Sequence, residues 1–321
     1  MPSTTYVWGV SIAQMIAKYV KGVDAHAASF NTDAVFPEAY VKGIIHLDLG
    51  STHTTFQQVY GVGRWQGHGS APMRLISTGP LWFLGVMARP GAGITTPADL
   101  KGKKLMGLLS GSALLRDCVD AILYGYGLTE KDVTVLGYSS SKEIVDAMVQ
   151  GRVDAAQYPY QEGSPFLEEM AMAGKVTLIS DTPEALDKIV KKFTAFSPGT
   201  LPAGSYKGQD KEVKTFCAPV TIDCSADLPV DLVYSITAAL YNNFAEWSKQ
   251  QAAIKYWALP GGIEPSRLSV PVHEGAIKYY KEKGYWTAAH EARQKELLEK
   301  AVALDPNDLE VEEHTDISKE K

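Results

Sequence analysis

Apolar positions first recur at helical spacing over residues 8–20, where Ile12, Ile16 and Val20 share one face and Ser and Thr residues just ahead can cap the helix. Short apolar runs and further helical stretches then take turns. The pattern predicts a strand at 44–49, a helix at 54–60, strands at 75–77 and 82–89, a strand at 104–108 and a helix at 112–126. It continues with a strand at 133–138, a helix at 141–150, a strand at 155–157, a helix at 165–173 and a strand at 176–180. Such alternation reads as α/β, a mainly parallel sheet with helices on both faces. With 321 residues, one such core is too few, and two are expected. From residue 230 the pattern turns helical, with helices predicted at 231–250, 276–284 and 288–302, and the acidic stretch 305–321 reads as a solvated tail.

Local punctuation supports these boundaries. Ser139-Ser-Ser-Lys-Glu143 sets a hydroxyl ahead of a glutamate in capping-box fashion, and Gly151 ends that helix before the next strand. Val41-Lys-Gly-Ile-Ile-His-Leu-Asp48 repeats the helix, glycine, strand logic.

Composition narrows the function. Apolar residues make up 45% and charged residues 21%, an ordinary globular balance, and a net charge of −6 argues against a nucleic-acid partner. The longest apolar run, 81–88, has the length of a buried strand, short of a membrane span. Cys118, Cys217 and Cys224 show no metal spacing and read as core residues; a Cys217–Cys224 bridge needs the chain to turn back between them. His26, His46, His53, His68, His273 and His290 are scattered, with His273 expected to make a structural hydrogen bond. Neither Gly-x-Ser-x-Gly nor His-Glu-x-x-His occurs, and Cys118, two turns into a helix, reads as core, so no enzyme is expected. No metal or cofactor is implied. The glycine-rich stretch Trp65-Gln-Gly-His-Gly-Ser70 precedes no helix and reads as a surface loop.

Candidate chemistry lies where Asp99-Leu-Lys-Gly-Lys-Lys-Leu105 leads into Gly107-Leu-Leu-Ser-Gly-Ser112. A strand here ends in a small-residue turn that opens a helix. Free backbone N–H groups at such a turn make a seat for a small anion. Arg116, one turn further, could clamp a carboxylate or stand as a solvated helix arginine. Arg74 and Arg89, flanking the expected crossover between the two cores, read either as ligand contacts or as interdomain pairing partners.

Four stretches resemble the TAXI family of solute-binding proteins that serve TRAP transporters. They are Asp99-Leu-Lys-Gly-Lys-Lys with Gly111-Ser112; Tyr126-Gly-Leu-Thr-Glu-Lys-Asp132; Leu201-Pro-Ala-Gly-Ser-Tyr-Lys-Gly-Gln-Asp210 leading to Leu228-Pro-Val-Asp-Leu-Val-Tyr234; and Val270-Pro-Val-His-Glu-Gly-Ala-Ile-Lys-Tyr-Tyr280. The resemblance implies a two-lobed, type II periplasmic-binding fold. Residues 1–86 and 217–304 would form lobe one, with the extra C-terminal helices, and 87–216 lobe two. The sequence departs from the family at two turns. Only Ser3-Thr-Thr-Tyr6 remains of the turn into the first helix, so the resemblance implies that a signal peptide and first strand are absent from this sequence. A second turn is replaced by Ser29-Phe-Asn31, with the bulky Phe36-Pro-Glu-Ala-Tyr40 following.

Carried over by position, Ser3, Thr4, Thr5 and Tyr6 would form one wall of an interdomain cleft, and Gly111 and Ser112 the opposing anion seat. Tyr6 reads equally as packing against Trp8. Gln157, Tyr158 and Tyr160, with Gln161, follow a strand end where open α/β sheets place ligands. Asn31, Ser51 and Arg116 complete the candidate set. The implied function is periplasmic capture of a small organic acid, glutamate-like or a dicarboxylate, for delivery to the membrane subunits of a TRAP-type transporter. Two alternatives stay open: a same-fold binder of a sulfonate or thiamine-precursor-like heterocycle, and a same-fold sensor or enzyme in the cytoplasm.

Overall fold

A computed structural model describes residues 4–30, 35–67, 70–109, 112–193 and 195–303. By their contacts, residues up to Pro80 together with those from Pro219 form one unit, and Leu81–Ala218 form a second.

In the first unit, helix α1 (Thr4–Tyr19) buries Trp8, Ile12, Met15 and Ile16 along one stripe, as the 3.6-residue period requires. A short helix α2 (Phe36–Val41) leads to strand β1 (Leu47–Ser51), which runs straight into helix α3 (Thr52–Tyr60). Strand β1 pairs antiparallel with the second half of β9 (Val213–Ser225), Leu47 opposite Cys224 and Ser51 opposite Val220, and β9 lies next to β2 (Met73–Phe83). Helices α8 (Val230–Tyr241), α9 (Phe244–Trp247), α10 (Glu274–Glu282) and α11 (Ala288–Ala303) complete it. An aromatic core holds this unit. The Trp257 ring meets Trp8 edge-on at 5.3 Å and lies so close over Gly79 that a Cβ there would come within 2.1 Å of the indole. Trp247 Nε1 donates to Ser11 Oγ at 3.0 Å, and Ser11 donates on to Gln250 at 2.7 Å, so a buried polar chain is satisfied rather than stranded.

The second unit holds a five-stranded sheet in the order β5-β4-β6-β3-β7, built from β3 (Val86–Ala88), β4 (Lys104–Leu109), β5 (Thr134–Tyr138), β6 (Ala155–Gln157) and β7 (Thr177–Leu178). Helix α4 (Ala113–Tyr126) packs Leu114, Cys118, Val119 and Ile122 into one core with Leu105, Ile189 and Phe216. Helices α5 (Ser141–Val149) and α6 (Pro165–Met172) cover another, with Ile144, Met148, Leu167 and Met170. Helix α7 (Pro183–Lys192) and strand β8 (Ser197–Leu201), which pairs with the first half of β9, close the unit. At the start of α5 Ser140 Oγ accepts from the Glu143 N–H as the cap the sequence predicts, while the Glu143 carboxylate accepts from the N–H of Ser139, one residue ahead of the cap, at 2.8 Å, so the reciprocal half of the box is displaced by one residue.

The α/β class stands, with differences inside it. Parallel pairing holds between β4 and its neighbours β5 and β6, where α4 and α5 supply the crossovers. Pairing is antiparallel for β3 with β6 and β7, and for β9 with β1 and β8. The helix predicted at 231–250 is two helices, because Asn243 leaves helical geometry and its side-chain amide donates to the Ala239 carbonyl at 2.9 Å. Cys217 and Cys224 both lie on the extended β9 and are free thiols, as is Cys118. Trp65 is buried in a 3-10 turn and anchors the stretch after it, whose described residues Gln66, Gly67 and Ser70 are exposed, as expected of a surface loop.

Candidate functional site

In each unit a helix that follows a strand is capped by a serine. In the second unit Ser112 is the N-cap of α4, its Oγ accepting from the Leu115 N–H at 3.4 Å. In the first unit Ser51 ends β1 and caps α3 with nothing between them, its Oγ accepting from the Thr54 N–H at 3.2 Å. Both turns present the positive end of a helix.

Around Ser112 the second unit gathers polar groups at the carboxyl ends of its parallel strands. Gly107 makes room: a Cβ there would come 2.8 Å from Val119 and 3.4 Å from Gln157, so only glycine lets α4 and Gln157 close over the end of β4. Gln157, the last residue of β6, is fully buried and donates through Nε2 to the Leu84 carbonyl at 3.4 Å. Its Oε1 has no protein partner among the described residues, nor has the buried hydroxyl of Tyr138 at the end of β5. Tyr138 meets Tyr158 edge-on at 5.8 Å, and Tyr158 meets Phe166 at 5.1 Å. Burial pushes the Tyr158 phenol up, so the hydroxyl stays neutral and available as a donor.

Arg116 faces away from a clamping role. It is ion-paired with Asp120 at 3.2 Å and with Glu130. Tyr160 is fully buried, its ring stacked on Phe83 and its backbone exchanging hydrogen bonds with that residue at 2.8 and 3.1 Å. Arg89 is tied to Asp154 at 3.1 Å, and Arg74 donates to the Met73 carbonyl. Gln161 bonds the Ser164 hydroxyl through its N–H.

In the first unit the surroundings of Ser51 are more polar than the sequence reading foresaw. All nine residues of α3 are buried, including Thr52, His53, Thr54, Thr55, Gln57 and Gln58. Burial of so many polar side chains is costly unless they are bonded. His53 and Gln57 pair at 2.9 Å, and Thr55 donates to Asp223 at 2.7 Å. Asp223 lies directly opposite Asp48 across the β1/β9 ladder and also accepts from Thr221 at 2.5 Å. Desolvation first, then the facing charge of Asp48, pushes the Asp223 carboxyl well above its ordinary range. The hydroxyl run Ser51-Thr-His-Thr-Thr55 after an apolar strand is the signal that could have found this turn, since it repeats the strand, small residues, helix order of residues 107–112.

Thr4 is exposed at the start of α1, and Thr5 and Tyr6 line a cavity inside the first unit. Trp8, named as an alternative partner for Tyr6, meets Trp257. Ser3, Asn31 and Gly111 lie outside the described residues. His273 caps α10, Nδ1 accepting from the Gly275 N–H at 3.0 Å and Nε2 lying 3.1 Å from the Leu228 carbonyl, the structural bonding its turn implied.

A family profile described as NMT1-like matches residues 1–284. The chain belongs to the NMT1-like family. This NMT1-like chain also resembles solved structures. A periplasmic transporter is 12% identical, with 95% of this chain and 96% of that one covered and a TM-score of 0.52. MatC from Rhodopseudomonas palustris with bound malate is 12% identical, with 90% and 91% covered and a TM-score of 0.51. The periplasmic aliphatic sulphonate binding protein SsuA from Escherichia coli is 16% identical, with 90% and 88% covered and a TM-score of 0.48. What the NMT1-like chain shares with the first two is the fold of periplasmic binding proteins.

Proposed function

We propose that this protein is an extracytoplasmic solute-binding protein that captures a small organic acid and releases it to a TRAP-type membrane transporter. The observation that carries the reading is the pair of serine-capped helix starts, Ser51 and Ser112, one in each unit. Helix N-termini hold carboxylates through N–H donors and dipole without a buried lysine. Gln157 and Tyr138 supply the rest: a buried carbonyl oxygen and a phenol that lack protein partners among the described residues. An acceptor and a donor beside an anion seat suit an amino acid or hydroxy-dicarboxylate, which carries N–H or O–H groups besides its carboxylates. The malate held by the structural neighbour MatC belongs to the same chemical class. Capture and release need no bond making, so no catalytic residue is assigned.

Thermal unfolding against glutamate, malate, an alkanesulfonate and a thiamine-precursor pyrimidine tests this. A solute that binds only the folded state stabilises it by about 2.7 kcal/mol at a hundredfold excess over Kd. A midpoint rise with a carboxylate that shrinks about three- to tenfold in affinity on Gln157→Ala is expected, the worth of one hydrogen bond. A rise with the sulfonate or pyrimidine alone would overturn the ligand class.

A further inference from the structure

Within the first unit, the first turn of α3 rests on a pair of carboxyls. Asp48 stands opposite Asp223 and Gly50 opposite Thr221 in the β1/β9 ladder, and alternation puts all four on one face of it. Gly50 lets α3 settle onto that face: a Cβ there would come 2.9 Å from Thr55 Oγ1 and 3.2 Å from Asp223 Oδ2. Thr55 and Thr221 both donate to Asp223 Oδ2, and Tyr40 on α2 donates to Asp48 at 2.5 Å. Asp223 is fully buried, yet its second oxygen, Oδ1, has no protein partner among the described residues. Asp48 is half-buried and lines a cavity, so of the two it carries a charge more cheaply. The other titratable or charged groups around the pair are Tyr40 on α2, His53 on α3, Cys224 on β9, exposed His46 just ahead of β1 and, beside Cys224, Arg74 on β2.

We propose that the Asp48–Asp223 pair is a proton-binding site coupled to solute capture: it holds one proton, on Asp223 Oδ1, while an anion occupies the Ser51 turn, and losing that proton weakens the seat. The inference rests on the reading of that turn as an anion seat. Coupling runs through α3. Thr55, whose hydroxyl touches Asp223, stands one turn into the helix that Ser51 caps. A turn rises about 5.4 Å, so with a hydrogen-bond length at each end an anion at the helix start and a charge on Asp223 lie about 10 Å apart. Two like charges at that distance, at an effective dielectric near 20, weaken binding about tenfold. A charged Asp223 also competes with the solute for the positive end of α3. Desolvation and then the facing Asp48 already hold the Asp223 carboxyl up, which sets the sign: the anion binds more tightly below the raised value and more weakly above it.

Calorimetric titration of the whole chain with malate and with glutamate between about pH 6 and 9, in two buffers of different ionisation heat, tests this, because free carboxylates stay ionised over that range. Affinity for the solute that binds should fall about tenfold as pH rises, and binding should take up protons, read as a heat that changes with the buffer. Asp223→Asn should flatten the affinity and abolish the uptake, and Asp48→Asn, which removes the facing charge, should move the fall to lower pH. Proton uptake is read on the unaltered chain, so the test stands even where a variant folds poorly. A flat affinity without uptake in the parent would overturn the coupling and leave the solute reading intact. So would a pH dependence that survives in Asp223→Asn, which would place the titration on His53. Binding of neither solute at any pH would overturn the solute reading, and the coupling with it.

Discussion

Asp223 is the residue whose chemistry departs furthest from its place in the sequence, where it is one acidic side chain in an apolar strand. The fold buries it completely, faces it with Asp48 and offers it two threonine hydroxyls, and its carboxyl rises well above the usual 3.8. A carboxyl that keeps its proton in the folded state stabilises fully below the unfolded value. That contribution is lost as pH climbs through the raised folded value, because the native state then binds more protons than the unfolded state. Asp223→Asn supplies an uncharged amide that can accept from Thr55 and Thr221. The variant should unfold in urea with a stability that declines less from pH 4 towards neutrality, and should equal or exceed the parent at pH 7. An unchanged pH profile would locate the titration elsewhere. Serines illustrate what was legible at this scale. Ser112 caps α4 where its spacing places a cap, whereas Asp223 gave no sign, since burial depends on which strand lies opposite.

Elements were legible where a cap, a glycine stop and a clear period agreed, as in α4, which runs from the Ser112 cap to Gly127 in the left-handed region at φ 65°. The thirteen-residue β9 was not. It is buried almost throughout and reads as an apolar run with Pro219 inside, a residue that argues against a central strand. Helix α7 was missed despite its Thr182-Pro183 start, because only Ala185 and Ile189 are buried on its stripe. The α8 and α10 pair shows what sequence period omits, the closeness of approach. A Cβ on Gly275 would sit 2.3 Å from the Val230 carbonyl oxygen and 2.7 Å from the Tyr234 nitrogen, so the two backbones touch there. Gly275→Ala should therefore cost about 1–3 kcal/mol despite alanine's better helix propensity, because backbone cannot move aside as a side chain can. Denaturant unfolding at fixed pH measures it; a neutral or stabilising result would mean that the helices part without cost.

At the scale of the whole molecule the α/β class was legible from alternation alone, while the identity of the ligand is not written in either sequence or fold. The reason is physical: the proposed anion seats would use backbone N–H groups, which every residue has, so on that reading side chains identify a solute only through a few groups such as Gln157 and Tyr138, whose polar atoms lack a protein partner among the described residues. The second unit differs from the first in being one continuous stretch, Leu81–Ala218, about 140 residues with hydrophobic clusters of its own around Leu105, Ile122 and Phe216 and around Ile144, Met170 and Tyr160. Its ends are tied within it: the Leu84 N–H bonds the Phe216 carbonyl at 3.0 Å, and Phe83 exchanges hydrogen bonds with Tyr160. Cutting the chain at Pro80 and Ala218 severs β2 and β9 in mid-strand but leaves these ties and the five-stranded sheet whole. Residues 81–218 expressed alone should thus fold, with a cooperative melt and slow hydrogen exchange in β6, the central strand of that sheet, and in its parallel neighbour β4. A broad, non-cooperative melt without protected amides would show that the second unit borrows its stability from the rest of the chain.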